Sequence, residues 1–162
     1  MPASELTAIE IRDLLDAPAC AGDVVTWIDA QWAALSGRTR RETMDRFTRG
    51  IARDALPVTL VAVAGDGSCA GVASLRERDS VEWLAGVTPW ICNVYVPEKA
   101  RGAGVAQELC LALEPRARHL GYDGIYLATS RPDSLYHRIG YREVRQIDYH
   151  GEREFILRKS LA

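Results

Sequence analysis

Residues 101–106 read Arg-Gly-Ala-Gly-Val-Ala and stand between a strand-like run and a helix-like run. Glycines at 102 and 104 let a ligand approach the main chain with no Cβ in the way. The helix that follows leaves its first N–H groups unpaired, and its dipole adds partial positive charge there. Such a turn can cradle a phosphate. Arg101 can add a charge-assisted contact. A Walker-type loop would need Gly-Lys followed by Ser or Thr, whereas Gly104 is followed by Val105 and Ala106. A dinucleotide-binding unit would stand first in an alternating parallel series, whereas this one follows a meander of strands. The residues by themselves leave two readings: a cradle for a pyrophosphate ligand of another kind, or a plain structural turn.

The elements that must position this turn follow from periodicity. A short strand is expected within 5–14. Val24, Trp27, Ile28 and Trp32 have helical spacing, with Asp23 as N-cap. A second helix starts at Thr39, with Glu42 completing a capping box and Met44, Phe47 and Ile51 on one face. Strands are expected over 56–65 and 69–78, joined by a hairpin at Gly65-Asp66-Gly67-Ser68, and then over 90–96. Val105, Leu109, Ala112, Leu113, Ala117 and Leu120 define the helix after the glycine turn. Gly121 stops it, and Pro115 should kink or loosen it. A strand over 122–129, a short helix closed by Gly140 and a final strand pair turning at His150-Gly151 complete the chain. This order predicts an α+β fold with one strand–helix–strand crossover.

Composition narrows the partners. The chain has 162 residues, 48% hydrophobic and 26% charged, which suits one globular domain spanning 1–162. Lys+Arg number 20 and Asp+Glu 22, a net charge of -2 that argues against nucleic-acid or anionic-membrane partners. Arg38, Arg40, Arg41, Arg46, Arg49 and Arg53 are expected on a solvated helix face. Cys20, Cys69, Cys92 and Cys110 form no C-x-x-C pair, so no metal site is expected. No secretory leader or bilayer-spanning run is evident, and free thiols suit a cytoplasmic location.

The 101–106 run resembles the signature of the GNAT family of N-acetyltransferases, which has Arg or Gln, two residues, Gly, one residue, then Gly or Ala. It matches at Arg101, Gly104 and Ala106. A second block, LYHRIGYREV, is similar to the family's downstream segment at Tyr136, Gly140 and Tyr141. The resemblance is strong from about Trp90 to Val144 and implies a single-domain fold. Its sheet would be mixed, mostly antiparallel and twisted, with a splayed central strand pair and flanking helices.

By that resemblance, the main chain of Arg101, Gly102, Ala103, Gly104, Val105 and Ala106 holds the pyrophosphate of acetyl-CoA, with Gln107 at the rim. The splayed strand at Val94, Tyr95 and Val96 pairs with the pantetheine amides. Val94 and Val96 should point to one face and Tyr95 to the other. Tyr136 matches the family's general acid, a phenol that can protonate the departing thiolate. A backbone N–H near Asn93 or Val94 would polarise the carbonyl. Glu82 is the leading candidate base, with Asp148 and His150 behind it. Asn93 and Trp90, and less so Trp83, would border the acceptor, while Trp27 and Trp32 pack. Thr129 would touch the cofactor or a water, and Cys92 is read as packing. The segment Thr129–Ser134 lacks the asparagine that many relatives carry before the tyrosine helix.

The implied activity is acetyl transfer to a primary amine of a small molecule, by direct attack in a ternary complex. A non-catalytic acyl-CoA-binding module and a protein N-terminal or lysine acetyltransferase stay open as alternatives. Exposed strand edges would allow a homodimer.

Overall fold

The computed structural model describes residues 8–78, 84, 86–131 and 135–162. Its strands are β1 (Glu10–Asp13), β2 (Val58–Val63), β3 (Cys69–Arg76), β4 (Trp90–Tyr95), β5 (Gly124–Thr129), β6 (Arg142–Tyr149) and β7 (Glu152–Ser160). Its helices are α1 (Ala21–Ser36), α2 (Arg40–Thr48), α3 (Val105–His119) and the single turn α4 (Leu135–Arg138). The strands form one sheet in the order β1-β2-β3-β4-β5-β7-β6. All neighbours pair antiparallel except β4 with β5, which are parallel across the α3 crossover.

The period-2 pattern sorts β2 onto two faces. Val58, Leu60 and Ala62 pack with Leu109, Leu113 and Ala117 of α3, whereas Val61 packs with Val24, Val25 and Ile28 of α1 and Phe47 of α2. With helices on both sides, β2 and β3 are buried along nearly their whole length. A third cluster, Trp90, Cys92, Ile147 and Ile156, covers the other half of the sheet.

Gly71 lets α3 seat closely. A Cβ there would stand 3.0 Å from Val105 Cγ1, 3.1 Å from Leu109 Cδ1 and 3.3 Å from the Tyr95 carbonyl oxygen. Two buried carboxylates fix α3 further. Glu114 meets Lys159 of β7 at 2.9 Å, and Asp13 at the end of β1 meets Arg116 at 3.0 Å.

The capping expectations divide. Thr39 Oγ1 accepts the Glu42 N–H at 3.2 Å and donates to the Glu42 carboxylate at 3.1 Å. Glu42 therefore bonds the hydroxyl of Thr39, where a capping box would use the backbone N–H. Asp23 is not a cap. A 3₁₀ turn at Pro18–Cys20 feeds α1 two residues earlier, and Asp23 lies in the first turn, where its charge suits the helix dipole. Pro115 does not break α3. Pro115 is exposed, and so is Leu111, whose carbonyl loses its donor, at 38%; water can serve that carbonyl. His150 and Gly151 both have positive φ, +50 and +80, as a two-residue hairpin turn requires.

The basic run of 38–53 is not uniformly solvated. Arg40, Arg41 and Arg49 line an open cleft on the outer side of α2, while Arg46 is half-buried. Arg53 lies on Asp16 at 2.6 Å.

Candidate active site

The site is built on an irregularity in β4. Ser74 pairs with Cys92 and Val72 with Tyr95, so two steps on β3 oppose three on β4. The extra residue falls at Asn93–Val94, and Asn93 takes a left-handed conformation at φ +57. Its side chain accepts a bond from Arg76 Nε at 3.1 Å. On the other side, β4 meets β5 only where Trp90 faces Tyr126. Beyond Trp90 the strands diverge, and the main chain of 92–96 offers an edge toward β5 on which no strand lies among the described residues. Val94 and Val96 pack toward the α3 face, while Tyr95 packs toward α1, 5.4 Å from the ring of Trp27. The bulge preserves the alternation expected of these three residues.

The chain leaves β4 through Pro97 and a 3₁₀ turn at Glu98–Ala100 and reaches the glycine loop. Gly102 has φ +82 and Gly104 φ +78, and a Cβ at either would meet nothing within 4 Å. The ground above the loop is therefore clear. Gly104 is the N-cap of α3 and supplies no side-chain partner, so the first N–H groups of the helix are left for a ligand. The first intrahelical bond runs from Glu108 N to the Gly104 carbonyl at 3.0 Å. Arg101 lines the loop cavity. Its Nε donates to the Val96 carbonyl at 2.9 Å, and its guanidinium lies 5.8 Å from the Tyr95 ring. It braces the loop to the strand end.

A cavity of about 260 Å³ lies at the loop, lined by Val96, Ala100, Arg101, Gly102, Gly104, Val105, Ala106 and Gln107, with Leu135 and Arg138 of α4 also on its wall. Ala103 is exposed on the loop crest. Arg138 was not singled out from sequence. Its place two residues after Tyr136, on a single turn of helix, was the available signal.

Tyr136 sits on α4, half-buried, with its ring edge-on to Tyr141 at 6.1 Å. Burial, with Cys110 close by, pushes this phenol above the usual tyrosine range. It therefore holds its proton at neutral pH. Tyr141 is fully buried, and among the described residues its hydroxyl lacks a partner. Burial likewise pushes the Cys110 thiol up to about 12.

The remaining candidates scatter. Glu82 and Trp83 lie outside the described residues. Trp90 is buried at 2% exposure, its indole N–H donates to Val87 at 2.6 Å, and its ring lies 5.7 Å from Tyr126. It belongs to the wall behind the strand split. Cys92 is buried beside it. Asp148 and His150 are exposed near the β6–β7 turn. Thr129 ends β5 and accepts the Arg131 N–H at 3.1 Å. Trp27 and Trp32 pack on the α1–α2 cluster. Among the described residues there is no group of three His, Cys, Asp or Glu side chains that could hold a metal. Among them, too, no helix is long and apolar enough to cross a membrane.

Comparison with known proteins agrees with the fold. The sequence model described as "Acetyltransferase (GNAT) family" matches residues 24–141. An acetyltransferase of Agrobacterium fabrum is 40% identical over 53 residues, 32% of this chain and 39% of that protein, so the match spans well under half of that relative. An aminoglycoside 6'-acetyltransferase of type Ii superposes with a TM-score of 0.72 at 15% identity, over 94% of this chain and 97% of that one. An acetyltransferase from Salmonella typhimurium, solved with its cofactor acetyl-CoA, superposes at 0.69 with 20% identity, over 96% and 95%. At these identities the two structures speak to the fold alone.

Proposed function

The chain belongs to the GNAT family of acetyltransferases, and on that premise we propose that it transfers an acetyl group from acetyl-CoA to a primary amine of a small molecule. We read residues 1–162 as one domain for this task. The observation that carries the reading is the conjunction of an open β4 edge with a clear glycine loop at its end. An extended arm and a pyrophosphate need such a pair.

In this reading the N–H groups of 102–106 bind the pyrophosphate, that of Arg101 being held by the Glu98 carbonyl at 3.2 Å, with Gln107 at the rim. The main chain of Val94, Tyr95 and Val96 takes the pantetheine amides. The Val96 carbonyl already holds Arg101, so its N–H and the groups of Val94 carry most of that pairing. Bound acetyl-CoA would supply a thioester, open to attack by an amine and ready to release a thiolate. Tyr136 keeps a proton on its Oη for that sulfur, since burial disfavours the phenolate. The bulge at Asn93–Val94 frees a backbone N–H to polarise the carbonyl. Glu82 is the residue we assign to accept the amine proton, by a bound water. Asn93 borders the acceptor, its side chain fixed by Arg76, and Trp90 backs it from within the wall. Thr129, at the end of β5, is assigned to touch the cofactor or a water.

Four buried free thiols fit a reducing compartment and support a cytoplasmic location. The exposed outer strand β6 supports a homodimer built edge to edge.

The experiment is thermal unfolding with and without acetyl-CoA. Ligand at about 100 times its Kd should add about 2.7 kcal/mol, which is about 5–10 °C for a chain of this size. No shift at saturating acetyl-CoA or CoA would remove the reading.

A further inference from the structure

The cavity at the glycine loop is walled by the segment 96–107 and by the single turn α4. Among the described residues that line it, two are charged, Arg101 and Arg138, and neither is acidic. Arg101 is engaged, with its Nε on the Val96 carbonyl. Arg138 is exposed, and among the described residues its side chain makes no hydrogen bond or ion pair.

Helical spacing explains why Arg138 reaches this wall. Leu135 and Arg138, three residues apart, share the face that lines the cavity. Tyr136 and Ile139, each one step on, pack into the core cluster that holds α3. The turn itself is pinned. Ile139 and Tyr141 are buried, the Tyr141 N–H bonds the Tyr136 carbonyl at 3.0 Å, and Arg142 Nη1 bonds the His137 carbonyl at 3.2 Å. The main chain under Arg138 is therefore fixed while its guanidinium is unengaged.

Acetyl-CoA carries its negative charge on a pyrophosphate and a 3′-phosphate. The start of α3 answers this with backbone N–H groups and a dipole equivalent to about half a charge. That leaves most of the charge for a cation, and a planar guanidinium matches phosphate oxygens in two-point contact. We propose that Arg138 binds a phosphate group of acetyl-CoA from α4, so that phosphate recognition is divided between the main chain of the glycine loop and one side chain on a separate element. This rests on the acetyl-transfer reading above and adds a binding residue to it.

The test is calorimetric titration of the full chain with CoA and with 3′-dephospho-CoA, for the unaltered protein, Arg138→Gln, Arg138→Lys and Arg138→Glu. Arg138→Gln should weaken CoA about tenfold, the lower end for a charge-assisted bond because the side chain is exposed. Arg138→Lys should keep part of that affinity, and Arg138→Glu should lose at least about tenfold more than Arg138→Gln. Added salt should shrink the gap between the unaltered and Gln forms. Ligand-free melting temperatures should agree within about 2 °C, since an exposed, unpaired side chain holds nothing in the fold. In turnover the acetyl-CoA KM should rise, with kcat and the acceptor KM within about twofold. Equal losses for CoA and 3′-dephospho-CoA place the guanidinium on the pyrophosphate, and a loss confined to CoA places it on the 3′-phosphate. An Arg138→Gln protein that binds CoA within about twofold of the unaltered chain, or an Arg138→Glu protein no weaker than the Gln form, overturns the assignment and leaves acetyl transfer standing. An unaltered chain that binds no CoA overturns both.

Discussion

Gly104 adopts φ +78 at the start of α3, with open space where a Cβ would stand. Two substitutions there separate backbone strain from ligand recognition. Gly104→Ala forces an L-residue into the left-handed region, at about 1–2 kcal/mol. For a chain of this length that lowers Tm by about 2–8 °C. Gly104→Glu carries the same strain and adds a negative charge over the loop. At about 5 Å and an effective dielectric of about 20, that charge opposes each unit of phosphate charge by about 3 kcal/mol, more than about 100-fold in Kd. The assay is calorimetric titration of both variants with CoA, beside their melting curves. The two should melt alike, Ala should bind CoA within about tenfold of the unaltered protein, and Glu should bind at least about 100-fold more weakly. A Glu variant that melts with the Ala variant and binds CoA within about threefold of the unaltered protein would refute the cradle.

Tyr136→Phe should lower kcat by about 100-fold, at the lower end for a general acid, with the acetyl-CoA KM unchanged; an unchanged kcat removes Tyr136 from the chemistry. Gly71→Ala should destabilise by about 1–3 kcal/mol, because its Cβ meets Val105, Leu109 and the Tyr95 carbonyl oxygen; an unshifted urea midpoint would show that α3 can yield freely. The folded chain holds the Cys110 proton up to about pH 12, against an ordinary thiol value of 9.0. The folded state therefore binds more protons than the unfolded one above about pH 9, and stability is full below that and falls above it. Each such thiol contributes a slope of about 1.4 kcal/mol per pH unit. Guanidinium midpoints between about pH 8 and 11 measure this, and Cys110→Ala should flatten the slope; a level profile in the unaltered protein contradicts it.

Much of the fold was legible because the chain's local signals agree with one another. The alternation of β2, the four-residue spacing of Val105, Leu109, Leu113 and Ala117, and the turns at Gly67 and Gly151 each recur in the structure. Asp23 misled as a cap because the 3₁₀ turn before it starts the helix without a side-chain partner. The place of β7 between β5 and β6 was not legible, since a hairpin pattern does not say which arm faces the sheet. At the site, the glycines and Tyr136 had local motifs. Arg76 had none, because its bond to Asn93 joins residues on neighbouring strands.

The central claim is acetyl transfer to an amine, and the most direct measurement counts both products of one reaction. Acetyl-CoA is incubated with the chain and an amine panel, free thiol is titrated, and N-acetylated amine is quantified by mass spectrometry. The account predicts one thiol released for each amine acetylated, with both abolished by Gly104→Glu. Saturable binding of acetyl-CoA with no acetylated product from any amine class would contradict it and would mark the chain as an acyl-CoA-binding module.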